Sequence, residues 1–359
     1  MKSSVPRTPA DIPSADPAGN RAPSSGPTRD LSIHVILFVT TIATTIIVGS
    51  NYAGNLFRQP EFILTHGIPF SITLMAILLA HEMGHYMASR HHGVRASLPY
   101  FIPVPFGIGT FGAFIKMRSA IRERGVLLII GAAGPICGMI LAVPAFLYGL
   151  QGAEVVDAVD PGALRLGDSL LTYLLTYVSL GPIPEGKEVL FNSVCYAGWL
   201  GMFITSLNLL PAGQLDGGHV VYAFFGTRHA VISHVTYLLL VILGIWGDPH
   251  TGNPVWLCLC ILLTIYAVSI IFMGPPTWRK RIMYMIFVVG WVIVGAYMDT
   301  VSATTIWLIW AALLYSFRLD HPPTRDLFQR LSWRRRIVGW MAVLIFVLTF
   351  IPRPFIIAE

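Results

Sequence analysis

The sequence predicts an all-α polytopic membrane protein of about nine transmembrane helices, with a re-entrant or interfacial β-hairpin-like loop after the second. Three observations carry that expectation. Of 359 residues, 55% are hydrophobic and only 12% charged, about half the charged share of an ordinary soluble domain. Mean hydropathy is +0.67, which leaves too few polar residues to clothe a water-exposed surface. Apolar runs recur with the length that a helix needs to cross about 30 Å of hydrocarbon, roughly 20 residues.

Residues 1–30 are rich in Pro, Ser and Ala and cannot bury enough apolar surface to fold. They read as a disordered cytoplasmic tail, lacking the basic-then-apolar start of a secretory signal. The multi-pass body is expected over 31–353, its catalytic core over about 68–226, with a short tail at 354–359. Spans are expected at 31–50, 68–89, 126–150, 192–211, 231–247, 254–273, 282–298, 303–317 and 337–352. Residues 91–125 have polar ends and a Gly- and Pro-rich apolar middle, which suits a hairpin at membrane depth only where protein or water satisfies its backbone. The connection 151–191 carries six acidic residues against two basic ones. Within it, apolar positions at helical spacing after Asp168 and Ser169 predict a short interfacial helix with one of those two as its cap.

Lys and Arg accumulate in short cytoplasmic loops, and an inside N-terminus puts 20 of the 24 basic residues on one side. Only Arg58, Arg165, Lys187 and Arg353 then lie outside. The net charge of +6 is accounted for by this bias and by anionic lipid headgroups, so no nucleic-acid partner is implied. Cys137, Cys195, Cys258 and Cys260 have neither metal-binding nor redox spacing and read as buried thiols.

The second span ends LLAHEMGHYMASR at 78–90. On a helix, His81 and His85 share a face and can hold one metal ion, while Glu82 reaches the water bound to it. Three ionisable groups in one turn near lipid are expensive and mark function; the bland alternative is a polar cluster at a helix end. A catalytic zinc ordinarily takes three protein ligands. In the fourth span, ITSLNLLPAGQLDGGHVVYAFFG at 204–226, Asp216 is the single carboxylate. Pro211 and Gly213 predict a break near 211–214 with restart near Leu215, and Gly217 and Gly218 would allow close helix approach. Asp216 could complete the metal site, pair with an Arg, or cap the restarted helix.

HEMGH at 81–85 and NLLPAGQLDGG at 208–218 resemble the paired motifs of the site-2 proteases, intramembrane zinc metalloproteases. GTFGAFIKMRS at 109–119, GAAGPICG at 131–138 and DHPPT at 320–324 are similar to the branch without a PDZ domain, and 151–191 is too short to hold one. The resemblance covers about 35–354. It implies one zinc per chain on His81, His85 and Asp216, Glu82 as catalytic base, and a single-span membrane protein in the lipid bilayer as substrate. A helical substrate must unwind to be cut, and the 109–118 hairpin, with Gly112 and Phe114, could hold the freed strand by edge pairing. Asn208 could hold substrate backbone or the developing oxyanion, or satisfy a carbonyl freed by Pro211. His219 reads as a neighbour of the ligands, His91 and His92 as interfacial, and His321 belongs to the DHPPT stretch. Gly134 and Gly138 read as helix-packing positions.

A metal-ion transporter also uses His, Asp and broken helices, but need not set Glu82 beside two ligands. A catalytically inactive scaffold that binds membrane helices would not need all four residues. The expected location is a bacterial inner membrane.

Overall fold

The computed structural model describes residues 27–53, 61–157, 164–246, 277–278, 305–317, 319–324, 326 and 330–357. The expected spans at 254–273 and 282–298, Cys258 and Cys260, and residues 1–26 of the expected tail lie outside the described residues.

Helix α1 (Pro27–Ala53) starts inside the expected tail, because a proline suits the first helical turn, where its missing N–H would have no partner. Its Leu31, Val35, Ile36 and Val39 are exposed, whereas Thr41, Thr45 and Ser50 are buried. The inward face is thus the polar one, and Thr45 Oγ1 lies 2.7 Å from Ser71 Oγ of the next helix. A π-helical turn (Ile63–Gly67) leads into α2 (Ile68–His91), which has a proline in its first turn. Phe70, Leu74, Ile77, Leu78, His81, Glu82, His85 and Ser89 are among its buried positions. They follow one stripe at helical spacing, so the face that packs the core also carries the ionisable cluster inward.

Strands β1 (Tyr100–Pro103) and β2 (Thr110–Phe114) pair antiparallel, with Tyr100 opposite Phe114 and Phe101 opposite Ala113. Helix α3 (Arg124–Leu150) follows and packs on α2 and on α5 (Ser193–Asn208). Thirteen of the 16 residues of α5 are buried, as expected of a helix apolar all round. Trp199 is fully buried at its centre, stacked on Tyr196 and Phe203, and its indole N–H donates to Gly167 O at 2.9 Å. The chain then turns at 209–215 and restarts as α6 (Asp216–Phe225), followed by a 3-10 turn (Gly226–Arg228) and α7 (His229–Trp246). Helices α8 (Thr305–Phe317) and α9 (Trp333–Thr349) complete the described helices.

Among the described residues four helical segments are long and apolar enough to cross a membrane: Leu31–Asn51, Ile63–His91, Arg124–Leu150 and Asp216–Gly244. The chain is a membrane protein. The expected spans at 192–211, 303–317 and 337–352 are helices of 16, 13 and 17 residues. At 1.5 Å per residue, 16 residues reach about 24 Å, short of the hydrocarbon thickness. The break at 209–215 ends α5 early, and the apolar run through Ile351 is cut because α9 stops at Thr349 before Pro352.

On the connection 151–191, α4 (Leu170–Leu180) begins in a capping box: Ser169 Oγ accepts from Thr172 N, and Ser169 N donates to Thr172 Oγ1. Ser169, not Asp168, is therefore the cap. The all-α expectation fails around it. Strands β3 (Glu154–Asp157) and β5 (Lys187–Leu190) pair antiparallel, as do β4 (Leu164–Leu166) and β6 (Phe355–Ile357). Residues 355–357 of the expected tail are thus a strand, held where Phe355 meets Trp199 and Phe203.

Candidate metal centre

The stripe on α2 brings His81 and His85 to one face of the helix, one turn apart. Helix α3 meets them with its smallest residues. A Cβ at Gly134 would overlap His85 Nε2, one at Gly138 would lie 3.2 Å from His81 Nδ1, and one at Gly131 would lie 2.8 Å from His219 Cβ. Gly134 and Gly138, expected as helix-packing positions, are seats for the two histidine rings. The imidazoles fit between the helices only because no side chain projects there.

The turn at 209–215 delivers the third group. Asp216 occupies the first turn of α6, whose N-terminal cap residue is Leu215. Its Oδ2 lies 3.1 Å from His81 Nε2 and 3.2 Å from His85 Nε2, so among the described residues the carboxylate neither caps α6 nor pairs with an arginine. Gly217 and Gly218 make the turn possible rather than a helix contact: a Cβ on either would overlap carbonyls of the 209–213 segment.

His85 Nδ1 lies 2.7 Å from the carbonyl oxygen of Ile130. A carbonyl can only accept, so Nδ1 carries the hydrogen and a neutral His85 turns the Nε2 lone pair toward Asp216. Two acceptors 3.2 Å apart require a cation or a proton between them. Tetrahedral ligands about 2.0 Å from zinc stand about 3.3 Å apart, close to both observed separations of 3.1 and 3.2 Å. Two imidazole nitrogens and a carboxylate oxygen suit zinc, and the carbonyl behind His85 supplies the orienting contact that such ligands need. Among the described residues these three form a group whose ligand atoms lie within 4.8 Å of one another. The residues present therefore fit a zinc ion.

A cavity of about 700 Å³ opens on this cluster. It is lined by His81, Glu82 and His85 of α2, by Asp216 and His219 of α6, and by Ala113 and Phe114 of β2. Glu82 is buried beside both histidines. Asn208 reaches the same space, with its amide nitrogen 3.4 Å from His81 Nε2. Gly112 does not line the cavity; it sits in β2 at φ +88°, and its backbone N–H is taken by Thr110 Oγ1 at 3.0 Å. Helix α1 holds the hairpin in place. His34 Nδ1 donates to Pro99 O at 2.8 Å and Thr44 Oγ1 to Gly109 O at 2.7 Å.

Sequence reasoning missed one part of the cavity lining. His321 to Thr324 line the cavity, and Thr324 N donates to the Tyr222 hydroxyl at 3.0 Å. His219 Nδ1 lies 2.8 Å from His321 Nε2. The DHPPT stretch was visible, but nothing in its local pattern tells which of the other ten histidines it meets.

Residues 69–244 match the family model described as peptidase family M50. The chain is 30% identical over 244 residues to the probable zinc metalloprotease EGY1, chloroplastic, of Arabidopsis thaliana, covering 60% of this chain and 44% of the relative. It is 33% identical over 244 residues to the probable zinc metalloprotease EGY1, chloroplastic, of Oryza sativa subsp. japonica, covering 60% and 42%. It is 32% identical over 189 residues to the probable zinc metalloprotease EGY2, chloroplastic, of Oryza sativa subsp. indica, covering 51% and 33%. The chain spans less than half the length of each of these relatives. No solved structure matches.

Proposed function

We propose, from the match of residues 69–244 to the peptidase family M50 model, that the protein is an intramembrane zinc endopeptidase of the site-2 type. It hydrolyses a peptide bond within or near the transmembrane segment of a membrane-anchored, single-span protein, in the manner of regulated intramembrane proteolysis. The observation that carries this reading is the convergence of His81, His85 and Asp216 on one point with Glu82 lining the same cavity.

His81, His85 and Asp216 would hold one zinc ion per chain. Zinc in such a set polarises the scissile carbonyl and lowers the pKa of water. Glu82 takes a proton from the attacking water on its carboxylate and delivers it to the leaving amine, so the nitrogen departs neutral as the C–N bond breaks. Asn208 offers an amide N–H toward the carbonyl oxygen as charge develops. Strand β2 is in a two-stranded sheet with β1, which leaves its other edge to pair with an unwound substrate backbone beside Phe114. The turn at 209–215 and the hairpin are non-helical backbone at membrane depth, tolerated where they line a wet cavity. The distribution of Lys and Arg supports a cytoplasmic N-terminus; the EGY relatives are chloroplastic by name.

The test measures zinc content and cleavage together in purified wild type and Glu82→Gln, with a tagged single-span protein in vesicles. Expected are zinc near one per chain in both and a rate lower by about 10²–10⁴ in the variant. Cleavage that survives Glu82→Gln would overturn the assignment. Metal uptake into vesicles by both would make the protein a transporter.

A further inference from the structure

His219 and His321 line the cavity, and the reaction leaves both unused. His321 Nδ1 lies 2.7 Å from the carbonyl oxygen of Pro322, so Nδ1 carries the hydrogen and Nε2 of the neutral ring is a lone pair. Burial holds the His321 pKa below the usual histidine value, which keeps the ring singly protonated. His219 Nδ1, 2.8 Å from that lone pair, must therefore donate. The result is a fixed tautomer of His219 whose Nε2 is an acceptor, with no hydrogen-bond partner among the described residues.

Both rings are held. His321 stacks on Tyr222 at 4.2 Å and 21°, and the Tyr222 hydroxyl anchors Thr324 N. His219 Cβ rests against Gly131, one helical turn beyond Asp216. A neutral acceptor in a cavity beside an electrophilic centre suits one half of a peptide group. An extended chain presents alternating C=O and N–H, and unwinding a helix frees N–H groups that lipid cannot satisfy.

We propose that His219, oriented by His321, is a positioning residue that accepts a backbone N–H of the unwound peptide in the cavity. This rests on the endopeptidase reading. It adds a specificity element, because a proline at the contacted position has no N–H to give.

The test uses full-length protein in nanodiscs on a Glu82→Gln background, so that binding is read without turnover. The probe is a fluorescein-labelled single-span polyleucine peptide with a central Gly-Pro break. His219→Phe is expected to weaken its Kd about five- to tenfold, the range of one neutral hydrogen bond, with zinc per chain unchanged. His321→Gln shifts Kd in the same direction, and His219→Gln, which keeps an acceptor, recovers most of the affinity. An unchanged Kd in His219→Phe overturns the inference. Loss of zinc in both His219 variants overturns it differently, by making His219 a metal ligand. Failure of the wild type to cleave its tagged substrate counts against the endopeptidase reading alone, because Kd is measured independently of cleavage.

Discussion

Gly134 on α3 lies against His85 on α2 so closely that a methyl group there would overlap the imidazole nitrogen that faces Asp216. Helix separation and metal-site geometry are therefore one property. Gly134→Ala should lower zinc affinity about ten- to hundredfold, the cost of misorienting a ligand. Gly138→Ala, whose Cβ would stand 3.2 Å from His81 Nδ1, should cost less. Competitive zinc titration of both variants, with unfolding followed alongside, checks the order; equal affinities for the two would contradict it.

Among the described residues, Asp216 is the carboxylate that reaches both histidine Nε2 atoms, at 3.1 and 3.2 Å. Asp216→Asn keeps the shape and removes the charge, leaving two neutral nitrogens and a weak carbonyl donor. Zinc per chain after dialysis should fall from near one toward zero. Retention of a full equivalent would show that the metal sits elsewhere.

Ala113 and Phe114 of β2 line the cavity, whereas Phe111 is 72% exposed. If β2 holds substrate by edge pairing, Phe111→Pro or Ala113→Pro should cut turnover about tenfold or more while zinc content stays at the wild-type level. Unchanged turnover in both would sink edge pairing as the docking mode.

Phe355 of β6 contacts Trp199 and Phe203, and Trp307 donates its indole N–H to Pro352 O at 2.7 Å. Ending the chain after Arg353 should lower Tm by several degrees, as a loss of about 1–3 kcal/mol would do, without altering the metal ligands. A Tm equal to that of the full chain would mean that β6 contributes nothing to stability.

Burial depresses the His321 pKa in the folded protein. A base with a depressed folded pKa stays neutral in the fold while the unfolded chain takes up protons, so its contribution is present above about pH 6.5 and lost as pH falls below it. His321→Gln should make the decline in stability between pH 6.5 and 5 shallower than in wild type. A slope that does not change would place the titration on other groups.

Several features were legible in the sequence because their physics is local. Composition and hydropathy determined the membrane class, and HEMGH with its i, i+4 spacing determined that His81 and His85 share a helix face with Glu82 beside them. Pro211 and the glycines around it determined the break before Asp216, and Asp168 with Ser169 the start of α4, though not which of the two caps it. The tertiary structure alone decided what those pieces meet. Asp216 Oδ2 stands about 3 Å from two nitrogens more than 130 positions away, which rests on how α6 packs on α3. The choice of Gly134 and Gly138 as seats for His85 and His81, of Ile130 as the carbonyl behind His85, and of His321 as the partner of His219 depends in the same way on helix separation and rotation. So does the pairing of β6 with β4. Periodicity specifies which face of an element is buried, but the depth and rotation at which two such faces lock are set by the summed packing of both, which no single segment contains.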